Sequence, residues 1–120
     1  QPEDIERTVM TLIDADVASS LTVSRTPAHF TPHKTLEINN HGTLFFYLEN
    51  AEVYSNRHTI PDYYHRNGIC YALRRDPFFA SGAIFSPDCL GVVIDRQVVN
   101  VDEPFELELA EWMMKRQQAQ

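Results

Sequence analysis

The apolar residues of this chain keep a helical period at both ends and switch to the strand period of two between them, which restricts the fold to a mixed α/β arrangement. Ile5, Val9, Leu12 and Ile13 fall at i, i+4, i+7 and i+8 with Pro2 near the start, so the pattern predicts an amphipathic helix over residues 2–15. Residues 104–117 repeat the pattern, with Phe105, Leu109 and Trp112/Met113 on the expected inner face. Glu106, Glu108 and Glu111 come early in that segment and Lys115 and Arg116 late, as the helix dipole favours.

Between the helices, VASSLTVS (17–24) reads as a strand that Pro27 ends. KTLEINNHGTLFFYLE (34–49) reads as a hairpin: Leu36 and Ile38 alternate with polar residues, Asn39 to Gly42 supply turn chemistry, and Leu44, Phe46 and Leu48 alternate on the return. Residues 50–66 have no period and are rich in Tyr, His, Asn and Arg, and a polar aromatic loop of that length points to function. GICYALR (68–74) is nearly continuous in apolar residues, the pattern of a strand buried on both faces. Asp76 and Pro77 predict the cap and first position of a short helix. GVVID (91–95) and QVVNVD (97–102) read as two further strands, and no internal repeat interrupts the order.

A chain of 120 residues is long enough for one domain with a core and too short for two. Its 43% apolar and 22% charged residues are those of an ordinary globular protein. A formal net charge of −7, with no basic cluster, argues against nucleic acid and anionic membrane as partners. No apolar run approaches the roughly 20 residues of a membrane span. The start, QPEDIERTV, lacks the basic-then-apolar plan of a signal peptide, and its missing Met suggests an engineered start or a piece of a longer chain. Cys70 and Cys89 have apolar neighbours and no CxxC spacing, which predicts core thiols in a reducing compartment, the cytoplasm by default.

Asn100 and Asp102 raise the first chemical question. Two apart on a strand, they would project from one face, next to the N-terminus of the following helix. There an acid either caps the helix or holds something in a cleft. His29 and His33 have the i, i+4 spacing of helical zinc ligands, but Pro27 and Pro32 oppose a helix there. No nucleophile elbow is present, and the glycines at 42, 68, 82 and 91 form no phosphate-cradling loop. In SNRHTIPDYYHRNGICY (55–71), Arg57 and Arg66 are anion-pairing groups, and Asn67-Gly68 stands at the entry to a strand. An Asn there can aim its amide at a ligand while Gly permits close backbone approach; equally, Asn-Gly can be a simple turn and the arginines surface charges.

With these motifs in order, the chain resembles the C-terminal half of the acylneuraminate cytidylyltransferases, the enzymes that make CMP-sialic acid and related CMP-nonulosonic acids. The residues that carry the resemblance are Arg57-His58-Thr59-Ile60-Pro61, Tyr64, Asn67-Gly68-Ile69-Cys70-Tyr71, and Asn100-Val101-Asp102-Glu103-Pro104 through Leu109-Ala110-Glu111. SLTVSRTPAHFTPHKTLEIN is similar to the family's strand and dimerisation hairpin, so the likeness spans nearly the whole chain.

The resemblance implies an α/β, nucleotidyltransferase-like layered sheet with flanking helices and a protruding dimerisation hairpin at about residues 30–50. It also implies that the N-terminal nucleotide-binding half is missing. The reaction implied is attack of the sugar's anomeric hydroxyl on the α-phosphate of CTP, releasing pyrophosphate. Lys34 and Arg57 would pair with the acidic sugar or with phosphate oxygens, Asn67 and Tyr71 would hydrogen-bond the sugar, and Asp102, with Asn100 beside it, would hold Mg²⁺. Arg57 and Asp102 are the catalytic residues this reading names. Asn100 stands where the family usually has Asp, and a neutral amide is a weaker magnesium ligand than a carboxylate.

Without a nucleotide half the isolated chain is expected to be inactive, and the exposed edge of a half-sheet predicts a homodimer through residues 30–50. Two other readings stand beside this one: a stand-alone binding or interaction module derived from that fold, and an unrelated small α/β domain.

Overall fold

The computed structural model describes residues 1–49, 51 and 60–120, which fall into two compact units, residues 1–24 with 66–120 and residues 25–65. The first unit is built around a three-stranded mixed sheet with helices, an α/β arrangement. Its middle strand is β1, Ser19–Arg25. On one side lies β5, Leu90–Val93, parallel to β1, with Ser20 opposite Leu90 and Val23 opposite Val93. On the other side lies β4, Tyr64–Leu73. β4 runs antiparallel to β1: the Arg74 N–H donates to Ala18 O at 2.9 Å, while Cys70 N–H reaches Thr22 further along.

The core of this unit is small in apolar residues (Leu12, Leu21, Ala72, Val92 and Ile94) and unusually rich in hydroxyls. Ser19, Ser20, Thr22 and Thr8 are each no more than 2% exposed. A buried hydroxyl is costly unless it is bonded, and each of these is. The first helix, α1, spans Pro2–Ala15. The Thr8 hydroxyl donates back to Asp4 O at 2.6 Å, and the Ser20 hydroxyl of β1 donates to Thr8 O at 2.6 Å, tying α1 to the sheet. Ser19 Oγ and Ser86 Oγ share a hydrogen bond of 2.6 Å, and the carboxylate of Asp88 accepts the Ala18 N–H at the strand entrance. The Ser86 hydroxyl, followed by that backbone N–H, draws the Asp88 pKa below the ordinary carboxylate value despite some desolvation.

These bonds decide which face of α1 turns inward, and it is not the expected one. The predicted helix is present, but it buries Asp4, Thr8 and Leu12, leaving Ile5, Val9 and Ile13 exposed. Asp4 is held by the guanidinium of Arg96, whose Nη1 lies 2.9 Å from its Oδ1 and whose Nη2 meets Oδ2. The same arginine is the main reason the Asp4 pKa falls from its ordinary 3.8 to about 2, against the opposing effect of burial. α1 packs against β5, and Arg7 donates to Val93 O at 3.3 Å. The helix closes on Asp16 in the left-handed conformation (φ 51°), which an aspartate tolerates.

Other expectations change in detail. The run 68–74 belongs to a longer strand that is buried on neither face throughout: Ala72 is buried, Ile69, Cys70 and Leu73 half-buried, and Tyr71 exposed. Among the described residues β4 stands at the end of the strand order, with β1 as its one neighbour in the sheet. The short helix, α2, covers Arg75–Ser81 and starts before Asp76, which sits in its first turn rather than at its cap. The predicted strand 97–102 does not form; the chain past Val93 runs without regular structure to the last helix. β-branched residues need a neighbouring strand to pair with, and this segment is anchored instead by buried Ile94, whose N–H donates to Val23 O at 2.9 Å, and by Arg96. α3, Pro104–Gln118, half-buries Glu106, Leu109, Ala110 and Met113, while Phe105 and Trp112 of the expected inner face are exposed. Both cysteines are free and half-buried.

The second unit carries the predicted hairpin. β2, Leu36–Ile38, pairs antiparallel with β3, Leu44–Phe46, placing Leu36 opposite Phe46 and Ile38 opposite Leu44. The turn is built by Asn39, whose Oδ1 accepts the N–H groups of His41 and Thr43, and by Gly42 at φ +81°. Ahead of it come two single 3-10 turns, Ala28–Phe30 and Pro32–Lys34, consistent with the prolines that oppose a longer helix. Buried His33 shares a 2.7 Å hydrogen bond with the Tyr63 hydroxyl, and Arg25 pairs with Asp62 at 3.5 Å. Among the described residues no helix is long and apolar enough to cross a membrane.

Candidate functional site

Two motifs that lie more than thirty residues apart in the sequence, Asn67-Gly68 and Asn100-Val101-Asp102, meet in the first unit. Gly68 interrupts β4 with φ +74°, a conformation that glycine adopts without strain inside a strand where a bulge forms. A Cβ placed on Gly68 would stand 3.6 Å from Asn100 Oδ1. The interruption shifts the alternation of β4, so that Asn67 and Ala72, an odd number of residues apart, are both buried.

Asn67 is 8% exposed and firmly held. Its Oδ1 accepts from the Thr22 hydroxyl at 2.6 Å and from the Ile69 N–H at 3.2 Å, and its Nδ2 donates to Ser24 Oγ at 3.0 Å. Thr22 completes the junction by accepting the Cys70 N–H at 3.0 Å, so a side-chain hydroxyl serves the ladder at the bulge. These bonds leave Asn67 one amide hydrogen that is not committed to Ser24. Thr22 and Ser24 are the residues that sequence reading missed. The signal was available: hydroxyls at 19, 20, 22 and 24 in a strand read as buried require partners.

Asp102 is fixed from two sides although its residue is exposed. The Asn100 Nδ2 donates to its Oδ2, and its own N–H, together with that of Glu103, donates to Glu106 Oε2 at 2.7 and 2.8 Å. Glu103 is the N-cap of α3 and forms a capping box with Glu106 in the first turn, so the helix is capped without the Asp102 carboxylate. The pairing of Asn100 with Asp102 survives the loss of the predicted strand.

The remaining predicted residues are distributed otherwise. Tyr71 is 40% exposed on β4, away from the buried side that holds Asn67. Lys34 ends the second 3-10 turn of the other unit, and Arg57 lies outside the described residues.

As a magnesium site, the Asn100–Asp102 pair offers one carboxylate, Asp102, with Asn100 presenting an N–H to it rather than a second oxygen. That donor set fits the kind of Mg²⁺ site that keeps several waters and draws further oxygens from substrate phosphates, and not a cage made by protein alone. Among the described residues no three His, Cys, Asp or Glu side chains converge on one point. An open groove of about 220 Å³ on α3 is lined by Gln97, Trp112, Met113 and Arg116 among others, and by none of the predicted site residues. Compared with protein-family models the chain matches none, and a search of curated proteins finds no significant match.

Proposed function

We propose that this chain is the sugar-acid-binding C-terminal portion of a cytidylyltransferase, a nucleotidyltransferase-like α/β fold that forms a CMP-sugar from CTP and a nonulosonic acid once a nucleotide-binding half completes it. The observation that supports the reading is the adjacency of Gly68 to Asn100, which brings the Asn67-Gly68 backbone next to the Asn100–Asp102 pair. In the reaction the anomeric hydroxyl of the sugar gives up its proton as its oxygen bonds to the α-phosphorus, and the bond to the β-phosphate breaks to release pyrophosphate.

Asn67, held by Thr22 and Ser24, offers its remaining amide hydrogen to the sugar, and Tyr71 offers a hydroxyl. Lys34 and Arg57 supply cations for the carboxylate or the phosphates. Asp102, steadied by Asn100, is the residue that would hold Mg²⁺, which when bound supplies charge neutralisation on the transferring phosphoryl group. A homodimer through residues 30–50 belongs to the same reading: Leu36, Ile38, Leu44 and Phe46 form one apolar face of the hairpin, and each is between 43% and 68% exposed.

The test joins this chain to a cytidylyltransferase nucleotide-binding half and measures pyrophosphate release. Release that needs both CTP and a nonulosonic acid, and that falls at least a hundredfold on Asp102→Asn, is the expected result. A folded joined protein without turnover would overturn the proposal. The alternative, a non-catalytic binding module, draws on the neutral Asn100; it predicts that the 120-residue chain binds the sugar acid by calorimetry while the joined protein stays silent.

A further inference from the structure

Helix α1 turns its polar side to the sheet and its apolar side to solvent, the reverse of what an amphipathic helix in a finished fold does. Ile5 is 53% exposed, Val9 38% and Ile13 51%, and at spacings of four they form one continuous stripe. Met10, 44% exposed, widens it. The inward side is already committed, since Asp4 is locked to Arg96 and Thr8 to Ser20, so the helix cannot roll to bury the stripe without breaking those bonds.

The rim of the stripe names the partner. Turning about the axis from Ile13, the next exposed side chains are Glu6, Met10, Glu3 and Asp14; Arg7, the only cation on the helix, follows them and spends a guanidinium N–H on Val93 O. A second copy of a chain carrying −7 would bring a like-charged rim against this one, and an anionic membrane would meet the same repulsion. We infer that the Ile5–Val9–Ile13 face of α1 is a docking surface for a basic amphipathic helix, whose apolar residues cover the stripe while its Lys or Arg side chains pair with Glu3, Glu6 and Asp14. Helix-on-helix docking uses apolar side chains three or four residues apart along one face, and the stripe runs at spacings of four. The inference is independent of the cytidylyltransferase reading, because none of its residues belongs to that site.

The experiment titrates the 120-residue chain with two fluorescein-labelled helical peptides of identical leucine stripe, one flanked by lysines and one by glutamates. The lysine peptide should bind at least tenfold more tightly, with amide shifts in an NMR spectrum centred on residues 3–14. The variant I5S/I13S, which changes only exposed side chains, should lose at least tenfold, and E6K/D14K should reverse the preference between peptides. Equal binding by I5S/I13S would make the attraction a matter of net charge alone and overturn the inference, as would no binding or equal binding of both peptides. Sedimentation showing a dimer that I5S/I13S dissolves would overturn it in favour of a second copy.

Discussion

Replacing Thr22 by valine tests the hydrogen-bonded junction beneath the candidate site more directly than any change at the site itself. Valine has nearly the same shape, so no cavity opens and the cost is the chemistry of one hydroxyl. Thr22 is 1% exposed; its Oγ1 donates to Asn67 Oδ1 at 2.6 Å and accepts the Cys70 N–H at 3.0 Å. Removing the acceptor strands a donor at the bulge, at a cost of about 1–3 kcal/mol. Removing the donor takes the shorter of two bonds from Asn67 Oδ1, which keeps the Ile69 N–H, so that loss adds only about 1 kcal/mol. The expected sum is about 2–4 kcal/mol, a large part of the ~5–15 kcal/mol that holds a small domain together.

Thr22→Ser is the control: it keeps the hydroxyl and gives up one methyl, for about 1 kcal/mol. Urea unfolding of the 120-residue chain, with slopes compared to confirm that the exposed surface is unchanged, reads both variants. In the T22V protein the Asn67 side-chain amide resonances should also move toward the positions of a free amide, while in T22S they should stay. A T22V protein as stable as T22S, or more so, would refute the claim that the hydroxyl junction holds Asn67 in place.

Three further outcomes follow from the same geometry. Arg96→Gln removes the guanidinium partner of buried Asp4, leaving it the Gln1 amino group at 3.1 Å, and should cost about 2 kcal/mol at neutral pH by urea unfolding. Because Asp4 titrates at about 2 when folded and near 3.8 when not, its contribution is present above roughly pH 4 and lost as the pH falls toward 2; R96Q should flatten that acid limb. Gly68→Ala forces a side chain into φ +74° and should destabilise the chain by about 1–2 kcal/mol, with amide shifts reaching Asn100, whose Oδ1 would lie 3.6 Å from the new methyl. On the hairpin, Ile38→Lys with Leu44→Lys charges two exposed positions that face each other across the strands; sedimentation should find the parent as the proposed dimer and this variant as a monomer.

Elements whose signal is local were legible in the sequence. The spacing of Ile5, Val9, Leu12 and Ile13 located α1, and Asn39 to Gly42 located the hairpin turn, because helix period and turn chemistry act within a few residues. Strand 97–102 was not legible, since a β-branched run says nothing about whether a neighbouring edge exists to pair with it. At the candidate site, Asn100 and Asp102 do meet as their spacing suggested, but through a direct hydrogen bond in an irregular segment, not by sharing a strand face.

The inward face of α1 and the fixing of Asn67 share one origin that apolar periodicity cannot register. Strand β1 reads SSLTVSR, and its buried hydroxyls cannot be left unbonded in a core. Ser20 satisfies itself on the α1 backbone at Thr8, which draws the polar side of the helix inward and pushes Ile5, Val9 and Ile13 out. Thr22 and Ser24 satisfy themselves on Asn67, which turns an Asn-Gly pair that could have been a simple turn into a rigid amide next in sequence to Gly68, the residue that Asn100 approaches. One polar strand thus creates both the held amide of the candidate site and the open apolar face of the helix. A strand of the same period with valines at 20, 22 and 24 would favour the opposite result, with the apolar side of α1 drawn onto the sheet and Asn67 released.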